Sequence, residues 1–209
     1  MNRKELKDLL QVDAPVMENG FRHFSVLIPL IDKDDGIHVL YEVRAAGLDR
    51  QPGEICFPGG EVEQGEDWKS CALRETFEEI GIPEDSIEIL DELTTIYGSG
   101  KFAMHVYPAL LEAEAENEMH LSEVEVEQVF TVPLEHLLDA EPELYHSMMI
   151  QEGPEDFPYD KVTGGRPYPW SRASSIVPVY DVDGWIIWGL TGRATKVLTE
   201  QIKRAQGAL

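Results

Sequence analysis

Hydrophobic positions along the chain change period several times, and each change predicts an element. Two β-rich runs, residues 23–31 (HFSVLIPLI) and 37–43 (IHVLYEV), flank the turn residues 32–36, which predicts a hairpin. A brief apolar segment, residues 55–57, runs into Pro58-Gly59-Gly60. At Trp68 the period becomes helical: Leu73, Phe77 and Ile80 recur at i, i+4 and i+7, Gly81 ends the helix and Pro83 blocks its continuation. Residues 86–97 and 102–111 read as strands separated by a glycine-bearing turn. Residues 124–132 alternate as a strand with one wet face, and 133–138 read as a helical turn opened by proline. Residues 177–180 and 185–188 flank an Asp183-Gly184 turn. A final helix over 189–204 would turn Leu190, Ala194, Val197 or Leu198, and Ile202 inward, and a short one is predicted over the first dozen residues, with Leu6, Leu9 and Leu10 on one side. Strands and helices follow no regular βαβ rhythm, which predicts an α/β fold with a mixed sheet carrying helices.

Between these elements, residues 153–170 (GPEDFPYDKVTGGRPYPW) form a long loop rich in proline, glycine and aromatic residues, the kind of segment that serves as a lid or binding loop. Phe157, Tyr159, Tyr168 and Trp170 could stack on a ligand there or pack the loop onto its own domain. A length of 209 residues without repeats or linker-like stretches predicts one domain, with its core over about residues 22–200.

Charge narrows the partners. Against 17 Lys and Arg stand 40 Asp and Glu, a formal net charge of −23. Affinity for nucleic acid rests mainly on neutralising phosphates, so a nucleic-acid partner is excluded, and an anionic membrane surface with it. No run approaches the length of a membrane span, and the charged N-terminus lacks the apolar stretch of a secretory signal. Cys56 and Cys71 form no CxxC pair and read as small core residues in a reducing, cytoplasmic setting. The six histidines show no metal-ligand spacing.

The chemistry concentrates in residues 60–82, GEVEQGEDWKSCALRETFEEIGI. At 100° per residue, Glu75, Glu78 and Glu79 project from one face of the helix, nearly opposite the Leu73/Phe77/Ile80 stripe. Carboxylates at such spacing repel by a few tenths of a kcal/mol per pair. A cation over that face would relieve the repulsion, and oxygen-only clusters suit Mg²⁺, Mn²⁺ or Ca²⁺. An ordinary solvent-facing acidic helix is the competing reading.

The ordered string decides between them. Gly60, Glu66, Arg74, Glu75, Glu78, Glu79, Gly81 and Ile82 resemble the pattern of the Nudix hydrolases, with Thr76 where that family usually places an apolar residue. The resemblance implies a mixed-sheet α/β/α sandwich that hydrolyses a nucleoside diphosphate linked to another moiety, using Mg²⁺ or Mn²⁺. Glu75, Glu78 and Glu79 would hold the metal, Arg74 would orient them, and Glu66 would be the loop partner of that arginine.

Two further segments narrow the substrate. Arg44, Gly53, Phe57, Pro58, Gly59 and Gly60 resemble the upstream signature of the coenzyme A diphosphatase branch, although Ala45 replaces a serine and Arg50 stands one place later than the usual arginine. Residues 187–191 (IWGLT) are similar to that branch's IWG-x-T-A segment, with Gly192 for the alanine. The implied reaction splits coenzyme A (CoA) or its thioesters into adenosine 3′,5′-bisphosphate and (acyl-)4′-phosphopantetheine, with Arg44, Arg50, Phe57, Gly59 and Gly60 contacting substrate. ADP-ribose or another nucleotide sugar is the alternative substrate, and a catalytically silent nucleotide-binding regulator the non-enzyme alternative. Glu123, Glu125 or Glu127 would either add a carboxylate or general base, or line a wet strand face. Self-association as a homodimer stays open.

Overall fold

The computed structural model describes residues 20–98, 100–170 and 172–207; the helix predicted over the first dozen residues lies outside them. Eleven strands are described: β1 Arg22–Lys33, β2 Gly36–Arg44, β3 Ile55–Cys56, β4 Gly59–Glu61, β5 Glu88–Ile89, β6 Thr94–Gly98, β7 Phe102–Glu112, β8 Val126–Pro133, β9 Glu143–Ile150, β10 Arg172–Val182 and β11 Trp185–Ile187. The helices are α1 Trp68–Ile80, α2 Ala115–Glu118, α3 Leu134–Asp139 and α4 Gly189–Ala205.

The centre of the large sheet is a parallel pair, β1 with β7, in register from Arg22 opposite Phe102 to Asp32 opposite Glu112. Every other pairing is antiparallel: β2 and β4 on β1, β3 and β8 on β2, and β5 and β6 on β7. Alternation along these strands builds two cores. Val26, Ile28 and Leu30 of β1, Val39 and Tyr41 of β2, and Val106 of β7 join Ala194 and Leu198 of α4 on one face. Leu27 and Ile31, Leu40, Ala109 and Leu111 join Ala72 and Ile80 of α1 on the other. A mixed sheet with a helix layer on each face is the α/β/α sandwich expected from the sequence.

Three local expectations need correction. The run 86–97 is no single strand: a 3₁₀ turn (Glu84–Ser86) and the short β5 precede a break before β6. Strand β9 falls in a stretch whose apolar residues are not ordered against a packed face, and hydrophobic patterning did not reveal it. On α1 the predicted apolar stripe is rotated. Phe77 is 56 % exposed, while Ala72, Thr76, Ile80 and also Glu79 face the sheet. Thr76 meets burial by donating from Oγ1 to the Ala72 carbonyl at 2.7 Å, which explains how a polar residue holds an apolar position.

Both ends of α1 are fixed. Asp67 caps its N-terminus by accepting from the Ser70 backbone N–H at 3.0 Å. Trp68 stacks on His105, whose Nε2 lies 3.0 Å from His23 Nδ1, so two histidines far apart in sequence brace the helix start against β1 and β7. Gly81 closes the other end with φ +77° and donates to the Phe77 carbonyl at 2.9 Å.

A Cβ at Gly81 would stand 2.8 Å from the His120 backbone nitrogen, whereas one at Gly184, also at positive φ, meets nothing within 4 Å. Left-handed backbone costs an L-residue about 1–2 kcal/mol, so Gly81→Ala should lower Tm by roughly 2–8 °C for a chain of this size. Gly184→Ala should lose less in thermal unfolding. Equal losses would mean that the His120 approach contributes nothing.

Candidate active site

One cleft of about 660 Å³ draws on distant parts of the chain. Its acidic floor carries Glu75 and Glu79 from α1 and Glu125 from the turn before β8. Arg22, Arg44 and Arg50 border it, and Phe24, Phe57, Met104 and Leu190 give it an apolar wall.

Two glycines let β4 fit between its neighbours, Gly60 against α1 and Gly59 against β1. A Cβ on Gly60 would lie 2.3 Å from the Glu75 carboxylate, and one on Gly59 would lie 2.3 Å from the Ser25 carbonyl oxygen. With neither present, the Gly59 N–H donates to Glu79 Oε2 at 2.8 Å and fixes that carboxylate at the cleft floor.

Arg74 organises the other acids. Its Nε and Nη2 grip both oxygens of Glu66 at 2.8 and 3.0 Å, and its Nη1 reaches Glu75 at 2.7 Å and Glu78 at 3.1 Å. The Arg74 guanidinium holds Glu66 below the usual carboxylate range. Glu75 is shifted upward because burial outweighs that help. Glu78 stands further out, half exposed, and is not part of the cleft lining. The three glutamates therefore do not share one solvent face. Glu79 is 5 % exposed, Glu75 intermediate and Glu78 exposed, because the sheet covers the α1 edge that carries Glu79.

A further carboxylate escaped sequence reasoning. Glu42 interrupts the apolar run of β2 and is 1 % exposed; one oxygen accepts from the Cys56 thiol at 3.1 Å and the other, Oε2, is buried without a hydrogen-bond partner. Burial raises the Glu42 pKa, with Glu125 and Glu75 adding to it. Burial raises Glu79 too, followed by the charge of Glu42. The signal was present in IHVLYEV: a carboxylate inside a strand buried on both faces is costly without a compensating positive charge. Burial and Glu42 likewise push the Cys56 thiol up, so it is no thiolate nucleophile, and Cys71 is buried as expected.

Of the expected substrate contacts, Arg44, Arg50, Phe57, Gly59 and Gly60 all border the cleft. Phe57 is nearly buried and stacks on Tyr41 at 4.8 Å, so it shapes the wall more than it offers a free face. Arg44 Nε donates to the Arg50 carbonyl at 3.4 Å, tying the two arginines to one loop. Arg22, paired with Glu61, was not anticipated. Phe157, Tyr159, Tyr168 and Trp170 pack on one another and none borders this cleft.

The carboxylates of the lining fit a hard divalent cation, being oxygen donors only, and behind them Glu42, outside the lining itself, keeps Oε2 buried and unpaired. Among the described residues no three His, Cys, Asp or Glu side chains already converge on one point, since Arg74 takes up oxygens of Glu75 and Glu78.

The Arg74–Glu66 clasp gives a pH prediction. Its stabilisation is complete above the unfolded carboxylate pKa and is lost as pH falls through the lower folded-state value. Glu66→Gln should therefore cost roughly 1.5–3 kcal/mol at pH 7, the range for hydrogen bonds to charged groups. Denaturant titrations of the two proteins should begin to approach each other below about pH 4.3, the ordinary glutamate value, and meet only under the lower folded-state value. A gap that persists unchanged into acid would exclude the charge contribution.

Comparison with known proteins agrees with this geometry. The NUDIX domain model matches residues 21–150. The chain is similar to the Peroxisomal coenzyme A diphosphatase NUDT7 of Mus musculus, 31 % identical over 135 residues, covering 64 % of this chain and 56 % of that protein. It is also similar to the Peroxisomal coenzyme A diphosphatase ndx-8 of Caenorhabditis elegans, 34 % identical over 153 residues, covering 70 % of this chain and 62 % of that one. The chain thus spans less than two thirds of the length of either relative. Among solved structures, a MutT/nudix family protein from Enterococcus faecalis aligns over 98 % of this chain and 69 % of its own, with a TM-score of 0.52 at 15 % identity, a likeness of fold. With the family match covering more than half of its length, the chain belongs to the NUDIX domain family.

Proposed function

We propose that the protein is a divalent-metal-dependent diphosphatase that splits coenzyme A or its thioesters into adenosine 3′,5′-bisphosphate and (acyl-)4′-phosphopantetheine. One observation carries this reading. The two sequence segments that resemble the coenzyme A branch lie more than a hundred residues apart, yet they border the same cleft. Residues 44–60 supply Arg44, Arg50, Phe57, Gly59 and Gly60, while Trp188, Gly189, Leu190 and Thr191 come from the other segment. Thr191 Oγ1 donates to the Ile55 carbonyl at 2.9 Å and joins the two directly. That the mouse and nematode relatives are named coenzyme A diphosphatases supports the same substrate.

Each part of the cleft has a task in this reaction. Glu75, Glu78 and Glu79 are the proposed metal carboxylates, with Glu125 brought to them by β8. A bound Mg²⁺ or Mn²⁺ would neutralise phosphoryl oxygens and lower the pKa of the attacking water. Arg74 orients Glu75 and Glu78, and the Gly59 N–H orients Glu79. Arg22, Arg44 and Arg50 bring positive charge to the rim of a strongly acidic protein, where a polyanion otherwise meets repulsion. The apolar wall suits the pantetheine arm. A silent regulator would have no use for this set of glutamates, all present at the cleft or beside it.

Two measurements test the proposal. Glu79→Gln should keep the fold and even raise the unfolding midpoint, because it removes a buried, repelled charge. Its turnover should fall by on the order of 10²–10⁴; near-normal turnover at limiting metal would remove Glu79 from the mechanism. The second is a substrate panel of CoA, acetyl-CoA, 3′-dephospho-CoA, ADP-ribose and NADH, with products identified by mass. If Arg44 or Arg50 meets the 3′-phosphate through charge-assisted hydrogen bonds, CoA should exceed 3′-dephospho-CoA in kcat/KM by roughly tenfold or more. Arg44→Ala or Arg50→Ala should then erase the preference. Equal efficiency on both, with faster turnover of ADP-ribose, would replace the CoA reading by the nucleotide-sugar one.

A further inference from the structure

Strand β9 and residues 172–179 of β10 form a two-stranded ribbon, paired from Glu143 opposite Val179 to Ile150 opposite Arg172. All of β9 is exposed, as are residues 172–176 of β10. A two-stranded ribbon in water is marginal unless a further strand or a packed face supports it. β9 is the end strand of its sheet, and among the described residues nothing pairs with its outer edge. That edge presents a row of unpaired backbone N–H and C=O groups, a template for another strand.

The side chains say which strand fits. Leu144, Tyr145, Met148, Met149 and Ile150 are each between 45 % and 67 % exposed, a concentration of apolar surface on a chain of net charge −23. The ionisable residues on these exposed positions are Glu143, Tyr145, His146 and Arg172, so little charge opposes a close approach here. A second copy meeting β9 edge to edge, antiparallel, is related by a two-fold axis normal to the ribbon. Such an axis keeps each face on its own side, so odd residues meet odd and even meet even. With Ser147 opposite its own copy, Leu144 meets Ile150 of the other chain, Tyr145 meets Met149, and His146 meets Met148. Glu143 then falls outside the pairing. Moving the axis to His146 would set Glu143 against Met149 and two histidines against each other, which is the worse match.

We propose that β9 pairs with β9 of a second copy of this chain, Ser147 at the two-fold axis, to give a closed dimer through a continuous four-stranded ribbon. The contact is isologous and leaves no open edge on β9, so it ends at two chains. Neither Ser147 nor its neighbours on β9 border the cleft, and the dimer stands independently of the proposed substrate.

The test is sedimentation and oxidative cross-linking of the full chain. The wild type should sediment as a concentration-dependent dimer. Ser147→Glu, which sets two like charges opposite each other at the axis, should shift it to monomer by at least tenfold in dissociation constant, with kcat unchanged. Ser147→Cys should form an intermolecular disulfide under mild oxidation, and His146→Cys, which faces Met148 and so sits diagonally, two residues along, from its equivalent on the same face, should form far less. Far-ultraviolet circular dichroism of each variant separates loss of pairing from loss of fold. A wild type that stays monomeric at high concentration would overturn the proposal, and would leave the edge to the chain's own first nineteen residues or to a different protein. A dimer that Ser147→Glu leaves intact would overturn it as well, as would open-ended polymers.

Discussion

Carboxylates taken out of water need positive charge, and the cleft and the strand behind it gather several of them. Glu42 and Glu79 are buried from opposite layers, one on the sheet and one on the helix that covers it; burial raises both, and the charge of Glu42 raises Glu79 further. Glu75 and Glu125 add to the same field. Arg74 cannot balance it, because its guanidinium is already divided among Glu66, Glu75 and Glu78. Such an imbalance marks a candidate functional site, and the proposed divalent cation would relieve it.

The sandwich makes this imbalance structurally affordable. The parallel pairing of β1 with β7 gives a stiff, doubly covered centre, and α1 lies on it with both ends capped. Gly60 lets β4 lie close to that helix and Gly59 lets it lie close to β1, and from there the Gly59 N–H binds Glu79. The site is thus held by main chain and one arginine clasp, with the acids themselves contributing repulsion. Stability and chemistry pull in opposite directions at Glu79.

Much of this was readable in the sequence, for identifiable reasons. Strands β1, β2 and β7 and helix α4 announce themselves because each buries a regular set of positions. The family resemblance of residues 60–82 implies that Arg74 pairs with Glu66 and the helix glutamates, and those hydrogen bonds are present. Periodicity alone misplaced the buried stripe of α1, since Phe77 looked like core and Glu79 like surface; what lies across the helix, not the helix itself, decides that. Glu42 was passed over inside an apolar run although its charge was the informative feature. The His23–His105 contact could not be read from spacing, because the parallel register of β1 and β7 creates it. Strand β9 was missed because no packed face imposes a pattern on it.

In the proposed mechanism the buried acids are a cation site. Calorimetric titration with Mn²⁺ near pH 7, repeated in buffers of different ionisation enthalpy, measures binding and proton release together. Carboxylates whose pKa values are held up by burial and mutual repulsion should shed protons as the metal arrives, and Glu75→Gln/Glu79→Gln should lose both the tight site and the release. Equal Mn²⁺ binding by wild type and the double variant, with no proton release from either, would contradict it and move the metal to the general acidic surface.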